Sequence, residues 1–394
     1  MPHRKITHWI AGTAVGLLLA AVFLTYRGAG PAHAAGQSAT LKTNEAKTSA
    51  STGSLILPPS SDARAALLAN FRRLLEDLQK GLSRKELLDR LSNLKAEVHR
   101  LDPREAAAAI IDALKSGKDC ATGLSYVIGP EGVMDETPTY RTALLDLLGQ
   151  TDPFESAAYS RELMSETGSA DEYSLGLRNL AWANFRGRLD GELQNRFSAM
   201  LARPDWRQSP TAGYLEAFDV VAATGGVRQA AEIIEAIPTP GGETDQLVGR
   251  AAFIALDRLM VADPSRVVAA FRAEPDLLSG SSVHRASLMS RLDVRQPDQA
   301  ALLRDYLQRV DHGGGELPYF AEIFPNGNYF SSHRLITPWQ SGLSMTEISQ
   351  LDQATAATLR VWAADPLLAG SKQHLESIVA RLSELAVPVY PNTP

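Results

Sequence analysis

DPREAAAAIIDAL (residues 102–114) and DPFESAAYSRELM (residues 152–164) carry the same helix-start signal, 50 residues apart. In each stretch an aspartate precedes a proline, and a glutamate follows two positions after the proline. An aspartate at the N-cap accepts hydrogen bonds from the first unpaired backbone N–H groups, and proline suits the first helical position because it has no N–H to leave unpaired. The two stretches therefore predict helices that begin at Pro103 and Pro153.

Looser versions of this signal follow at Ser209-Pro210, Asp263-Pro264 and Gln296-Pro297, so the prolines recur at intervals of 50, 57, 54 and 33 residues. A period near 50 residues accommodates two or three helices and a loop, and self-similarity at that spacing is typical of stacked helical repeats. Second helices are expected at 173–185 and 247–260. We expect no sheet of three or more strands between residues 62 and 310.

Two further helices precede the first of these starts. Apolar residues at helical spacing, from Leu67 to Leu78 and again from Leu87 to Leu101, predict an amphipathic pair joined at Gly81. Ser83 followed by Glu86 has the spacing of a capping box, in which each side chain pairs with the other residue's backbone N–H. These two helices are expected to form an antiparallel hairpin.

The helix starts at Asp102 and Asp152 resemble those of HEAT-like α-solenoids, over roughly residues 100–310. The resemblance implies an extended curved surface that binds proteins and brings no catalytic residues. An irregular α-helical array is the alternative. The predicted fold is therefore all-α: an irregular HEAT-like helical-repeat array over 55–311, an aromatic-rich non-helical segment at 312–342, and C-terminal helices at 343–394.

The N-terminus predicts export. A basic start, MPHRK, precedes the uncharged apolar run from Trp9 to Leu24, so residues 1–34 are expected to be a signal peptide or an N-terminal membrane anchor. A small-x-small pattern at 32–34 favours cleavage, whereas Arg27 disfavours it, and both alternatives stay open. Residues 35–54 contain one leucine and no aromatic residue, which predicts a disordered linker.

The composition favours a bacterial periplasm and excludes several functions. With one cysteine, Cys120, the chain cannot form an internal disulfide, and its net charge of −6 lacks the basic excess that nucleic-acid binding requires. The sequence has no phosphate-binding glycine motif and no nucleophile motif, so no cofactor is expected. Asp311 to Glu316, DHGGGE, is interpreted as a loop, with a metal site as the alternative.

Six aromatic residues fall within the 21 positions from Tyr319 to Trp339, around the turn-forming Pro-Asn-Gly of FPNGNYFSSHR (324–334). One interpretation is that these rings seal the end of the helical core. The other is a binding surface for a peptide or glycan. In a purely structural segment, His333 and Arg334 should be solvated or paired with a carboxylate or a backbone carbonyl. The candidate binding residues are Phe324, Asn326, Asn328, Tyr329, Phe330, His333, Arg334 and Trp339.

Three functions are compatible with these features. The first is a periplasmic helical-repeat scaffold, released or anchored in the inner membrane through its uncleaved N-terminal segment, that binds another protein. The second is an envelope glycan- or peptide-binding protein. The third is a hydrolase with its site around Ser331, Ser332 and His333, although adjacent residues seldom face one another as a nucleophile and its base do.

Overall fold

The computed structural model describes residues 61–237, 242–328, 330 and 332–385. The signal peptide or anchor predicted at 1–34, the linker predicted at 35–54, and the residues Tyr329 and Ser331 lie outside these ranges. Within the described ranges, no helix combines the length and the apolar character that crossing a membrane requires. All of the described residues belong to one unit, Leu57–Pro394.

The all-α prediction is confirmed. The described chain consists of helices and connecting segments, apart from one antiparallel hairpin of two short strands, β1 (Val127–Ile128) and β2 (Met134–Glu136). The helices are α1 (Ser61–Lys80), α2 (Arg84–Val98), α3 (Pro103–Lys115), α4 (Tyr140–Thr151), α5 (Pro153–Glu166), α6 (Ala170–Trp182), α7 (Asp190–Leu201), α8 (Pro204–Gln208), α9 (Ala212–Glu216), α10 (Asp219–Thr224), α11 (Val227–Glu235), α12 (Glu243–Ala262), α13 (Pro264–Ala273), α14 (Ser282–Met289), α15 (Pro297–Arg309), α16 (Glu316–Ile323), α17 (Met345–Trp362) and α18 (Lys372–Leu385), with 3-10 turns at Pro130–Gly132, Phe185–Gly187 and Pro366–Ser371.

The helix starts follow the sequence signals in most places. Asp102 and Asp152 cap α3 and α5, and the Asp152 carboxylate accepts hydrogen bonds from the backbone N–H groups of Phe154 at 3.0 Å and Glu155 at 3.1 Å. The capping box of Ser83 at α2 is also present. Pro264 and Pro297 begin α13 and α15, where the preceding side chains provide no cap.

The helix that follows Ser209-Pro210 begins two residues after the proline. Pro210 precedes the helix α9, whose N-cap is Thr211, and the first helical position of α8 is occupied by Pro204. The threonine hydroxyl accepts the backbone N–H of Tyr214 at 3.2 Å and thereby fixes the helix start two residues later than the proline suggests.

Helices that are neighbours in sequence pack together, as α5 and α6 do, and helices two apart also touch, as α4 does with α6 and α10 with α12. Their buried side chains form two hydrophobic clusters. The N-terminal core extends from Leu67 to Leu175, and the C-terminal core extends from Ala157 to Leu382. One residue far along the chain, Leu335, belongs to the N-terminal core.

The prediction that residues 312–342 are non-helical is wrong in part, because this segment contains the helix α16, which holds Tyr319 and Phe320. The non-helical part is shorter, and we call residues 324–343 the strap. The strap leaves the C-terminal core at Phe324, and its tip, residues 333–335, lies next to the β-hairpin. It then returns so that Leu343 lies beside Gly327. Ile336 packs against both cores, so the strap joins them.

Replacing Asp152 by alanine should lower the free energy of unfolding by about 0.5–2 kcal/mol, because two N–H groups of α5 lose their acceptor. Denaturant unfolding followed by circular dichroism measures this loss. Gln296→Ala is the matched control, since Gln296 precedes the proline of α15 without capping it. Equal effects of the two substitutions would contradict the assigned cap.

Candidate functional site

Two buried ions hold the strap in place. Asp219, in the first turn of α10, is fully buried, and its carboxylate accepts the backbone N–H groups of Ile336 and Thr337 at 2.6 Å each. Arg258 of α12 donates to the Thr337 hydroxyl at 2.7 Å, to the Pro338 carbonyl at 3.0 Å and to the Phe330 carbonyl at 3.4 Å. Arg258 therefore binds the outgoing and the returning limb of the strap together.

Other arginines pair with strap carbonyls in the same way. Arg291 forms an ion pair with Asp257 at 2.7 Å and donates to the carbonyls of Asn326, at 3.2 Å, and Asn328. Arg381 of α18 donates to the carbonyl of Phe324. Non-helical backbone crossing a helical core leaves carbonyls without intrahelical partners, and a guanidinium has five N–H donors with which to satisfy them.

The tip of the strap inserts into the N-terminal core. Leu335 is fully buried there, and its carbonyl passes so close to Gly132 that a Cβ at that position would clash with it. Gly132 has a φ of +77°, so both its conformation and its contact require glycine. The Arg334 side chain donates to the carbonyl of Ile128 in β1 at 2.6 Å. The strap tip and the β-hairpin thus fix each other.

Arg334 and Trp339 meet across the two limbs. The Arg334 guanidinium lies 4.6 Å from the centroid of the Trp339 ring, a cation–π contact. Trp339 is nevertheless 52% exposed, although tryptophan is highly buried on average. The Trp339 ring therefore faces solvent, while the backbone beside it is held by the hydrogen bond from the buried Arg258 to the Pro338 carbonyl.

His333 departs from the expectation for a structural segment. It is 7% exposed and has a φ of +59°, and neither ring nitrogen has a hydrogen-bond partner among the described residues. Burial, with the charges of Arg258 and Arg250, lowers the pKa of His333 to about 3. The imidazole is therefore neutral near pH 7, and it pairs with no described hydroxyl that it could activate as a base.

Two carboxylates beneath the strap have perturbed pKa values. Glu216 accepts the backbone N–H of Arg334 at 3.3 Å, and burial together with the nearby charge of Asp219 raises the pKa of Glu216 to about 7. Burial raises the pKa of Asp219 to about 6, against the lowering effects of Arg258 and Thr337. Both groups contact the backbone of the strap, so its attachment is linked to proton binding.

The predicted binding residues divide into two groups. His333, Arg334 and Trp339 lie at the tip and on the returning limb. Phe324 is fully buried and stacks on Phe320 at 4.8 Å, whereas Phe330 is half-buried with its ring edge-on to Phe253. The backbone N–H of Asn328 donates to the Asn326 side chain at 3.0 Å, in a turn beside α14, and Tyr329 lies outside the described residues.

The sequence reasoning did not identify Glu216, Asp219 or Arg258. The available signal was a charged residue inside an apolar helical run, Asp219 in AFDVVAA and Asp257-Arg258 in IALDRLM. Such charges at core positions indicate buried partners, because an unpaired buried charge is strongly disfavoured.

The alternative metal interpretation of DHGGGE has no geometric support in the described chain. Glu316 forms an ion pair with Arg285 at 2.6 Å, and a ring nitrogen of His312 lies 3.1 Å from the Ser371 hydroxyl. Among the described residues, no three His, Cys, Asp or Glu side chains are grouped so that they could bind a metal ion.

Comparison of the chain with protein-family models, with curated proteins and with solved structures found no significant match.

Replacing Glu216 by glutamine should stabilise the protein relative to wild type as the pH rises from about 5 to about 8, by about 1–3 kcal/mol. The pKa of Glu216 is raised on folding from 4.5 to about 7, so its contribution to stability is present below the unfolded value and is lost as the pH rises through the folded one. Glutamine keeps an acceptor for the Arg334 N–H and does not titrate. Urea unfolding across this pH range measures the difference.

Glu131→Gln provides the control, since Glu131 is an exposed glutamate in the turn of the β-hairpin. The profile of this variant should run parallel to that of wild type. If the Glu216→Gln profile also runs parallel, Glu216 does not take up a proton on folding.

Proposed function

We propose that this chain is an exported or membrane-tethered periplasmic scaffold, built as a HEAT-like helical-repeat array, that binds another protein through the strap. The contact surface is centred on Arg334 and Trp339. The observation that carries the proposal is the half-exposed Trp339 ring, held under the Arg334 guanidinium on a strap anchored by buried ions.

The energetics of protein interfaces favour such a surface. Tryptophan and arginine are enriched among the few residues that supply most of the binding energy of an interface. The backbone beside Trp339 is already ordered, because Arg258 donates to the Pro338 carbonyl at 3.0 Å and its own carbonyl accepts the Gln340 side-chain N–H at 2.9 Å. A partner therefore avoids much of the entropic cost of ordering a loop on binding.

The other two functions have less support from the geometry. A glycan site would use Asn326 and Asn328 as polar groups beside the aromatic rings, but these residues form a turn held by Arg291, beside α14. A hydrolase would need a base within reach of a hydroxyl, and the ring nitrogens of His333 have no partner among the described residues. Protein binding requires neither arrangement.

Trp339→Ala should abolish capture of the partner and leave the melting temperature within about 2 °C of wild type, because a substitution at an exposed surface site usually changes stability by under about 0.5 kcal/mol. The partner is first identified by placing a photo-crosslinking amino acid at position 339 in cells and analysing the adduct by mass spectrometry. Co-purification of that partner with the Trp339→Ala variant then measures the loss.

Leu367 is a matched control position, since it is 68% exposed and lies in the 3-10 turn between α17 and α18. A crosslinker there should give no such adduct, and Leu367→Ala should retain the partner. The same adduct from both positions, or no adduct from position 339, would remove the strap as the contact surface.

The proposed export from the cytoplasm can be tested separately. A reporter enzyme that is active only outside the cytoplasm, fused after Ser54, should be active because the apolar run from Trp9 to Leu24 directs export. Mass spectrometry of the mature chain should show a start at Ala35 if the segment is cleaved, or the intact N-terminus if it is retained. Activity of a cytoplasm-specific reporter at the same position would contradict export.

A further inference from the structure

An open cavity of about 260 Å³ lies among α7, α8, α9, α11 and α12 and includes no residue of the strap. Its walls combine aliphatic side chains, among them Leu201 from α7, Ile233 from α11 and Val248 from α12, with polar ones. For scale, a cavity of about 150 Å³ lined by apolar side chains binds benzene. The volume here therefore suits a compact ligand somewhat larger than a single benzene ring.

Tyr214 and Arg207 add polar groups to this apolar wall. Tyr214 is fully buried, and its hydroxyl has no hydrogen-bond partner among the described residues. Burial raises the pKa of Tyr214 to about 12, and the positive charge of Arg207, which lines the same cavity, opposes that shift. A buried hydroxyl without a partner costs about 1–3 kcal/mol, which a ligand atom that accepts its proton would recover.

The remaining polar side chains of the cavity are those of Ser198, Gln229 and Glu232. The Gln229 side chain donates to the Ser198 hydroxyl at 2.7 Å, and Glu232, at the rim, is largely exposed and lies 3.7 Å from Arg228. Arg207 donates to Asp245 at 3.1 Å through one of its terminal nitrogens and keeps further N–H donors. The hydrogen-bond donors left free in the wall are therefore those of Arg207 and Tyr214, whereas the exposed Glu232 carboxylate faces solvent beside Arg228.

We propose that this cavity binds a small monocarboxylate with a compact apolar body, an aromatic or branched aliphatic acid. The apolar body packs against Leu201, Ile233 and Val248. The carboxylate accepts hydrogen bonds from Arg207, whose side chain is 42% exposed, and from the Tyr214 hydroxyl, which is buried and becomes reachable when the wall of the open cavity opens further. The cavity shares no residue with the Arg334–Trp339 surface, so ligand binding in the cavity can be tested independently of the proposed scaffold function.

The test uses the full-length chain in mild detergent, with benzoate as the probe and benzyl alcohol as its neutral counterpart of similar size. Benzoate at about 10 mM should raise the melting temperature in proportion to the logarithm of its concentration, as expected for a ligand that binds only the folded state. Benzyl alcohol should give a smaller shift. Calorimetric titration then gives the dissociation constants.

Tyr214→Phe and Arg207→Gln should each weaken benzoate binding about tenfold, the equivalent of one good hydrogen bond. Without ligand, Tyr214→Phe should melt at the wild-type temperature or above, because it removes only an unpaired hydroxyl, so weaker binding cannot be ascribed to misfolding. Arg203→Gln is the matched control, since Arg203 lies just before α8, is paired with Asp205 and is not in the cavity wall. It should bind benzoate as wild type does.

Three outcomes would overturn the proposal: no benzoate-dependent shift, equal shifts with benzyl alcohol and benzoate, or wild-type affinity in Tyr214→Phe. The first would show that the cavity does not take this ligand. The second would show that apolar volume alone governs binding. The third would show that the unpaired hydroxyl has no part in it.

Discussion

The contact between Asp219 and Arg258 fixes the strap, which packs against both cores of this molecule. Both side chains are buried, and the Arg258 Nε atom lies 3.8 Å from the Asp219 carboxylate. An isolated buried ion pair seldom repays the loss of hydration of its members. This pair does more, because Asp219 and the terminal nitrogens of Arg258 also form hydrogen bonds with the backbone and the threonine of the strap. Without one partner, the other would remain as an uncompensated charge between two cores, at a cost of about 3–5 kcal/mol.

Arginine side chains also donate hydrogen bonds to carbonyls of non-helical backbone at other places in the molecule. Arg178 of α6 is fully buried and donates to the carbonyl of Gly132 in the β-hairpin at 2.9 Å, much as Arg258, Arg291 and Arg381 donate to the strap. Lysine could not replace these residues easily, since its ammonium lacks the planar fork that reaches several carbonyls at once. The helices therefore form the two cores by apolar contact, whereas arginines specify the path of the chain over them.

Local features were predictable because their causes lie within a few residues. The caps at Asp102 and Asp152 and the capping box at Ser83 are where the sequence indicates, and the amphipathic periodicity identifies the helices. Helix α16 was missed because Gly-rich and aromatic residues surround it, although its proline, Pro318, falls in the first turn, where no intrahelical N–H bond is lost. The path of the strap was not predictable, since it depends on contacts such as Arg334 with Ile128, 206 positions apart. Its candidate residues were assigned from composition, which cannot distinguish Phe324 in the core from Trp339 at the surface.

The position of Leu335 affects the order in which the chain can fold. The N-terminal core draws its side chains from residues 67 to 175, yet it is complete only when Leu335 arrives. At a synthesis rate of about 5–20 residues per second, the interval between Ile128 and Arg334 corresponds to roughly 10–40 s. During that time the first helices emerge without the residue that closes their core, and contacts of such long range form slowly. The N-terminal core therefore acquires its most distant contact, that of Leu335, only after most of the chain has been made.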